Sequence, residues 1–294
     1  MSPIQRREAA AGFAFLLPNI LGFAIFVALP VAAALVLSFF HWDLLTPPRF
    51  AGLSNFVRLF GEDRTFRVVL VNTAYYVVGT VPPSIALALL VALAMNQKIR
   101  GITFYRTAYF MPVVSSLVAV SLIWRWLFNY DFGLVNNLLY SIGITNVPNW
   151  LGSSRWAMPA VIIMSIWRNI GYNMVIYLAG LQDIPDVLYE AAAIDGAGPW
   201  QRFRHITLPL LTPTTFFLVV ISMINSFQVF TQALVLTEGG PGDATNTIVF
   251  YIYKNAFQWL KMGYAAAIAW VLFVIIFIIT LVQFRMQKKW VHYQ

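Results

Sequence analysis

The chain has 294 residues, of which 60% are hydrophobic and only 10% charged, and long apolar runs recur along it. That composition excludes an ordinary soluble domain and indicates a polytopic protein embedded in a lipid bilayer. The net charge of +8 does not indicate a nucleic-acid partner, because the basic residues lie between and beside the apolar runs, where anionic headgroups and topology account for them.

Six apolar runs are long enough to cross the ~30 Å hydrocarbon core as helices. In chain order they are residues 13–40, 66–95, 104–128, 156–181, 210–236 and 263–284. The first run contains Pro18 and Pro30, so we expect it to be kinked or to lie partly outside the bilayer. The predicted fold class is therefore all-α, with six transmembrane helices.

The distribution of lysine and arginine predicts the topology. With the N-terminus assumed cytoplasmic, the inner side receives a modest excess of basic residues, although the first outer loop also carries arginines. The resulting domain prediction is a cytoplasmic N-terminus (1–12), a membrane domain (13–284) with a cytoplasmic loop at 182–209, and a cytoplasmic C-terminus (285–294).

Two outer segments have recognisable local patterns. Residues 131–150 contain asparagine, glycine and proline and predict a short helix and loop at the headgroup level. Residues 238–243, Glu-Gly-Gly-Pro-Gly-Asp, predict a tight turn.

Several kinds of chemistry are missing from the sequence. There is no cysteine, no phosphate-binding loop, no nucleophile motif and no histidine or carboxylate cluster with metal-ligand spacing. We therefore expect a transport protein without catalytic residues, metal or cofactor in this chain. All eleven acidic residues lie in loops or at the ends of runs, which argues against an ion-coupled carrier. Either energy enters from another protein or transport is passive.

Polar residues recur within the fourth and fifth runs. The fourth contains Ser165, Arg168, Asn169, Tyr172 and Asn173. The spacing places Ser165, Asn169 and either Tyr172 or Asn173 on one helical face.

The fifth run contains Asn225, Gln228 and Gln232, also three and four residues apart. Polar groups in hydrocarbon need partners or a wet cavity. Each of these residues either lines a hydrated pathway for a polyhydroxyl solute or forms hydrogen bonds between helices. For the two sets taken together we favour the pathway. Arg168 either contacts an anionic solute or pairs with backbone carbonyls or a neighbouring chain.

The longest polar interruption late in the chain is residues 189–213. It predicts a helix that breaks at Asp195 and Gly196, because glycine tolerates positive φ, and that restarts at Pro199. Its position outside the bilayer favours a docking surface for another protein.

This interruption resembles the EAA loop of binding-protein-dependent ABC transporter permeases. The pattern is met by Glu190, Ala191, Ala192, Asp195, Gly196, Ala197, Phe203, Ile206, Leu208 and Pro209. Further likeness to the carbohydrate-uptake permeases, and to their maltose-type first subunit in particular, lies at 105–107, 124–129, 179–185 and 237–253. The likeness covers most of the chain.

The resemblance implies a mechanism. Two different permease subunits form a heterodimer, and each EAA loop docks as a coupling helix on one of two cytoplasmic ATPase subunits, which bind ATP and Mg²⁺. An extracytoplasmic solute-binding protein delivers a carbohydrate-like solute. The coupling residues carried over are Glu190, Ala191, Ala192, Asp195, Gly196, Ala197 and Phe203. A glycerol-phosphate or phosphodiester importer of the same architecture, or a passive channel, remains an alternative.

Overall fold

The protein is described here by a computed structural model that covers residues 3–97 and 100–291. The first two residues of the predicted N-terminal segment and the last three of the predicted C-terminal segment lie outside the described residues. Helices dominate the structure. The elements are α1 (Pro3–Phe23), α2 (Leu29–Leu37), β1 (Phe40–His41), β2 (Arg49–Phe50), α3 (Ser54–Gly61), α4 (Arg64–Met95), α5 (Ile102–Val114), α6 (Leu117–Leu127), α7 (Leu134–Ser141), α8 (Ala157–Gln182), α9 (Asp186–Ile194), α10 (Pro199–Arg202), α11 (Leu208–Leu210), α12 (Thr212–Phe227), α13 (Thr231–Thr237), α14 (Ile248–Tyr253) and α15 (Met262–Trp290).

The chain divides into two compact units. The first comprises Met1–Asp63 with Ile252–Val271, and the second comprises Arg64–Tyr251 with Leu272–Gln294. The predicted membrane domain at 13–284 includes parts of both units, and its boundaries stay a prediction.

In the part of the chain that the structure describes, four helices are long and apolar enough to span a membrane: Ala11–Leu37, Arg64–Met95, Ala157–Gln182 and Met262–Trp290. Two bent helix pairs have the same properties when each pair is taken together, α5 with α6 and Pro199–Leu210 with α12. Counting each bent pair as one span gives the six spans that the sequence predicts.

The first span ends earlier than predicted, since the helix ends at Leu37 and Phe40 belongs to a two-residue strand. A π-helical segment, Ala24–Ala28, lies between Pro18 and Pro30. π-Helical turns are rare and widen the helix locally, so this is where the proline-rich run departs from regular α geometry. None of the residues in the most apolar stretch of this span is buried.

The third predicted span, 104–128, is wrong as one continuous helix. α5 and α6 meet at an angle of 99°, with Ser115 and Ser116 in extended conformation between them. The Ser115 hydroxyl donates to the carbonyl of Met111 at 2.9 Å and so competes for a backbone acceptor of the helix. Pro112, the residue after Met111, has no N–H and cannot donate to the carbonyl four residues earlier, so one helical hydrogen bond is missing just before the bend.

The fifth predicted span, 210–236, is also discontinuous. It bends by 58° before Thr212, because Pro213 cannot donate to the carbonyl of Pro209, and the Thr212 hydroxyl donates to that carbonyl instead at 2.6 Å. The helix then ends at Phe227. The buried Thr247 hydroxyl donates to the carbonyl of Val229 at 2.9 Å, which satisfies a group left unpaired by the break.

In the second unit, α8 packs closely against α4, α5 and α12. A Cβ added at Gly171 would clash with the carbonyl oxygen of Tyr109, and one added at Gly180 would clash with the hydroxyl of Thr214. Small residues therefore let the backbones approach, as in other membrane helix pairs.

The two outer segments have the predicted local structure. Residues 131–150 form α7 and a loop, held by the indole N–H of Trp150, which donates to the buried Asn136 side chain at 2.9 Å. Residues 238–243 form a turn with positive φ at Glu238, Gly239 and Gly242. The Asn72 amide donates to the carbonyl of Asp243 at 2.6 Å, so α4 holds this turn in place.

Candidate functional site

The predicted break in the loop at 182–209 is confirmed. α9 ends at Ile194, and Gly196 has a φ of 79°. The N–H of Ala197 donates to the carbonyl of Ala192 at 2.8 Å, and that of Gly196 to Ala193 at 3.1 Å. These two bonds are the Schellman arrangement, which uses a left-handed residue to satisfy the last carbonyls of a helix.

The restart at Pro199 is confirmed as well. The Gln201 side chain accepts a hydrogen bond from the N–H of Gly198 at 2.8 Å, and Pro199 takes the first helical position. The rings of Trp200 and Phe203 lie 5.5 Å apart on the following turn. The result is a helix, a corner and a second helix, which we call the coupling corner (residues 186–207).

Most predicted coupling residues are accessible on this corner. Glu190, Ala191, Asp195 and Gly196 are exposed, whereas Ala192, Ala197 and Phe203 are half-buried. Within the described residues, the carboxylates of Glu190 and Asp195 have no hydrogen-bond or ion-pair partner. No atom lies within 4 Å of a Cβ placed at Gly196, so the space beside it is open.

A shallow depression of about 320 Å³ follows the corner. It is lined by Ala192, Asp195, Gly196, Ala197, Gln201, Arg202, His205 and Ile206. The sequence did not single out Gln201, Arg202 and His205, because their place in the depression depends on the corner that brings α9 and α10 together. The role of Tyr189 was not predicted either. Its hydroxyl forms a hydrogen bond with the hydroxyl of Thr207 at 2.9 Å and so connects the two helices on either side of the corner.

The polar residues of α8 divide into two groups. Ser165 and Asn173 are buried, at 1% and 2% exposure. The Ser165 hydroxyl donates to the carbonyl of Val161 in its own helix at 2.8 Å and lies beside Tyr76 of α4. Asn169 is half-buried and Tyr172 is exposed, and neither side chain has a hydrogen-bond partner among the described residues. The face predicted as one stripe therefore contains both side chains that are buried against other helices and side chains that are accessible.

Arg168 has a backbone partner. Its Nη2 donates to the carbonyl of Val113 at 3.3 Å, at the C-terminal end of α5. A cation at this end of a helix pairs with carbonyls that have no intrahelical donor. The sequence left two roles open for Arg168, contact with an anionic solute and pairing with a backbone carbonyl or a neighbouring chain. The structure contains a contact with a backbone carbonyl.

The residues of the fifth run do not share one helical face, contrary to the prediction. Asn225 lies in α12, Gln228 follows its end, and Gln232 lies in α13, because the helix stops at Phe227. Asn225 and Gln228 are exposed and Gln232 is half-buried. None of the three side chains has a hydrogen-bond partner among the described residues, so their amides remain available.

A cavity lies close to the predicted pathway residues of α8, and no metal site is found with them in the described part of the chain. In the ranges 3–97 and 100–291, no three histidine, aspartate or glutamate side chains lie together in a way that could hold a metal ion. A cavity of about 180 Å³ lies between α5 and α8, lined by Ala108, Tyr109, Pro112, Trp167 and Ile170. The predicted pathway residues are adjacent in sequence to two of these but do not line the cavity.

A family model described as "Binding-protein-dependent transport system inner membrane component" matches residues 75–292. The chain belongs to this family. The permease is therefore a membrane-embedded subunit of an ABC transporter, as its loop motif predicts, and coupling to an ATPase is general for the family.

Relatives of known sequence extend the match to the whole chain. The permease is 41% identical over 292 residues to "Probable ABC transporter permease protein YesP" of Bacillus subtilis, covering 98% of this chain and 94% of the relative. It is 38% identical over 293 residues to "Lactose transport system permease protein LacF" of Rhizobium radiobacter, with 98% and 97% covered.

A solved structure shares the fold. The match is to a "bacterial alginate ABC transporter in complex with alginate pentasaccharide-bound periplasmic protein". The TM-score is 0.84 at 27% identity, and 96% of each chain is covered. The all-α permease fold predicted from the sequence is thereby confirmed.

Proposed function

We propose that this permease is one of two different membrane subunits of an importer that moves a sugar or related polyhydroxyl solute across the cytoplasmic membrane of a prokaryote. The observation that carries the proposal is the coupling corner, whose exposed Glu190, Asp195 and Gly196 face open space. The predicted orientation places the corner and both termini in the cytoplasm.

The likeness to LacF, named for lactose, and to the alginate transporter supports a carbohydrate solute. The accessible polar residues support it as well. Asn169, Tyr172, Asn225, Gln228 and Gln232 offer amides and a hydroxyl without internal partners, and such groups hydrogen-bond sugar hydroxyls. Ser165 and Asn173 are assigned to helix contacts instead.

Arg168 bears on the alternative solute. Its Nη2 donates to the carbonyl of Val113, which occupies one of the five guanidinium donors, and its Nε has no partner among the described residues. A glycerol-phosphate or phosphodiester importer of the same architecture therefore stays the alternative, and the solute panel below decides between the two classes.

Energy enters through partner proteins in this proposal. Each of two cytoplasmic ATPase subunits holds ATP and Mg²⁺, and one of them binds the coupling corner. The alanines and Gly196 of the corner allow close approach of the ATPase subunit, and the carboxylates offer charge-assisted hydrogen bonds. The permease itself carries out no catalysis and binds no cofactor. A solute-binding protein outside the membrane delivers the solute, in keeping with the family description.

The test is reconstitution of the permease in vesicles with its second membrane subunit, the ATPase and the solute-binding protein. A panel of oligosaccharides, polyols and glycerophosphodiesters is screened for stimulation of ATP hydrolysis and for uptake. We expect one group of sugars to stimulate both. Stimulation by glycerophosphodiesters alone would show that the solute is a phosphodiester and not a sugar. Uptake that continues without ATP hydrolysis would establish a passive channel.

A further inference from the structure

A recess in the first unit lies where two apolar spans end. α2 ends at Leu37 and α15 begins at Met262, whose N–H donates to the carbonyl of Trp42 at 2.9 Å. The strand pair and α3 enclose the rest of the recess, which has a volume of about 480 Å³. Because one end of each of these two candidate spans lies here, we place the recess at the polar edge of the bilayer.

The recess has an excess of positive charge. Arg49, Arg58 and Lys261 line it, and within the described residues none of these three cations has a carboxylate within 4.0 Å. The guanidinium of Arg58 lies 5.1 Å from the centre of the Tyr264 ring, which positions it against an aromatic face. None of the three cations therefore forms an ion pair within the described part of the chain.

The carboxylate in the recess has local partners. Asp43 Oδ1 accepts hydrogen bonds from the N–H and the hydroxyl of Thr46, both at 2.8 Å, and from the N–H of Leu45. These bonds, chiefly that from the N–H of Thr46, hold the pKa of Asp43 below its usual value. Asp43 is thus ionised at neutral pH and is the carboxylate that lines the recess beside three cations. A second carboxylate, Asp63, accepts a hydrogen bond from the hydroxyl of Tyr264 at the edge of the recess, so the positive charges still outnumber the negative ones.

An exposed apolar face flanks the recess. On α3, Leu53 precedes the helix and Val57 and Phe60 follow at helical spacing, with 63%, 65% and 58% of their surface exposed. On the opposite side of α3, Asn55 and Leu59 are buried. A short helix with an apolar face outward and cations beside it is the arrangement of a helix that lies in the membrane interface.

We propose that this recess binds the headgroup of an anionic phospholipid. The phosphate lies against Arg49, Arg58 and Lys261, and the acyl chains cover the apolar face of α3. Basic pockets beside transmembrane helices recognise anionic headgroups in this way. An acidic protein surface would satisfy the cations but leave Val57 and Phe60 against polar groups, whereas a lipid satisfies both parts of the site.

The test uses the full-length permease purified in a neutral detergent. It is titrated with phosphatidylglycerol and, separately, with phosphatidylcholine of the same acyl chains, and bound lipids are counted by native mass spectrometry. We expect one site with at least about tenfold preference for phosphatidylglycerol, and about a fivefold loss of affinity for each cation removed. The triple variant Arg49→Gln, Arg58→Gln, Lys261→Gln should lose on the order of a hundredfold.

A matched control separates the recess from general charge. Arg155 also lies over an aromatic ring, 5.9 Å from the centre of Trp156, but outside the recess. Arg155→Gln should leave the affinity unchanged, while Arg58→Gln lowers it. The proposal fails if wild-type permease binds both lipids equally, if Arg155→Gln weakens binding as much as Arg58→Gln, or if equimolar inorganic phosphate displaces the lipid. The first of these comparisons needs no variant and so does not depend on any variant folding.

Discussion

The coupling corner and the polar part of the spans are both built from helices interrupted by a break, but the breaks have different origins. The corner is made by local sequence: Gly196 takes the left-handed conformation and Pro199 starts the next helix. The end of α12 contains no glycine or proline, and its unpaired carbonyl at Val229 is satisfied by Thr247, 18 residues away. A local break can be recognised in a sequence, whereas a break supported by tertiary contacts cannot.

The largest effect is expected at the corner. A β-branched side chain at φ 79° is strained by about 1–2 kcal/mol, so Gly196→Val should open the Schellman arrangement. Uptake should fall on the order of a hundredfold, because a displacement of about 1 Å at a working site has effects of that size. Uptake and ATP hydrolysis are measured together in reconstituted vesicles, and insertion is measured separately.

Two controls distinguish docking from strain. Asparagine tolerates the left-handed conformation, so Gly196→Asn should keep the corner and lose much less uptake. Gly101 has a similar φ of 77° and equally open surroundings, so Gly101→Val introduces comparable strain elsewhere. Unchanged uptake in Gly196→Val would count against the docking role, and equal loss in Gly101→Val would attribute the effect to backbone strain alone.

The next largest effect is expected at the tertiary break. Thr247→Val keeps the shape of the side chain but leaves the buried carbonyl of Val229 without its donor. The loss should be about 1–3 kcal/mol of stability, measured as a lower unfolding temperature in detergent. Thr231→Val is the control, because the Thr231 hydroxyl has no hydrogen-bond partner among the described residues. Equal stability of both variants would mean that Thr247 does not support the break.

A smaller effect separates the accessible and buried residues of α8. Asn169→Leu should weaken solute binding by about fivefold, the value of one hydrogen bond, with little change in stability. Asn173→Leu should leave affinity nearly unchanged, because Asn173 is buried and its Nδ2 has no partner. Solute titration of the stimulated ATPase measures both. If Asn169→Leu mainly reduces assembly, the residue belongs to a helix contact instead of the pathway.

The smallest effect is expected for the exposed ion pair between Arg125 and Glu238, whose atoms lie 3.8 Å apart. Exposed pairs contribute less than about 1 kcal/mol. Arg125→Gln should therefore shift the unfolding temperature and the uptake rate very little. A large loss of uptake would instead show that the contact between the ends of α6 and α13 matters for transport.

The same distinction explains how far the sequence could predict this protein. Apolar runs predict the number of spans, and the Gly196 to Pro199 pattern predicts the corner, because both depend on neighbouring residues. The 99° bend between α5 and α6 was not predicted, although Pro112 and the two serines stand there, since such residues are also tolerated inside membrane helices. The separation of Ser165 and Asn173 from Asn169 depends on how α4 packs against α8, which spacing along one helix does not show.

The first span has a consequence for how the permease is made. Its 27 residues have high hydropathy and none in the most apolar stretch is buried. In the two-stage view of membrane protein folding, helices first enter the bilayer as independent units and then associate. Within this chain no residue of that stretch is buried against another helix, so insertion of the span is driven by partition into lipid and does not depend on packing against the other helices of the chain. It is therefore suited to direct the topology of the nascent chain before any later helix has been synthesised.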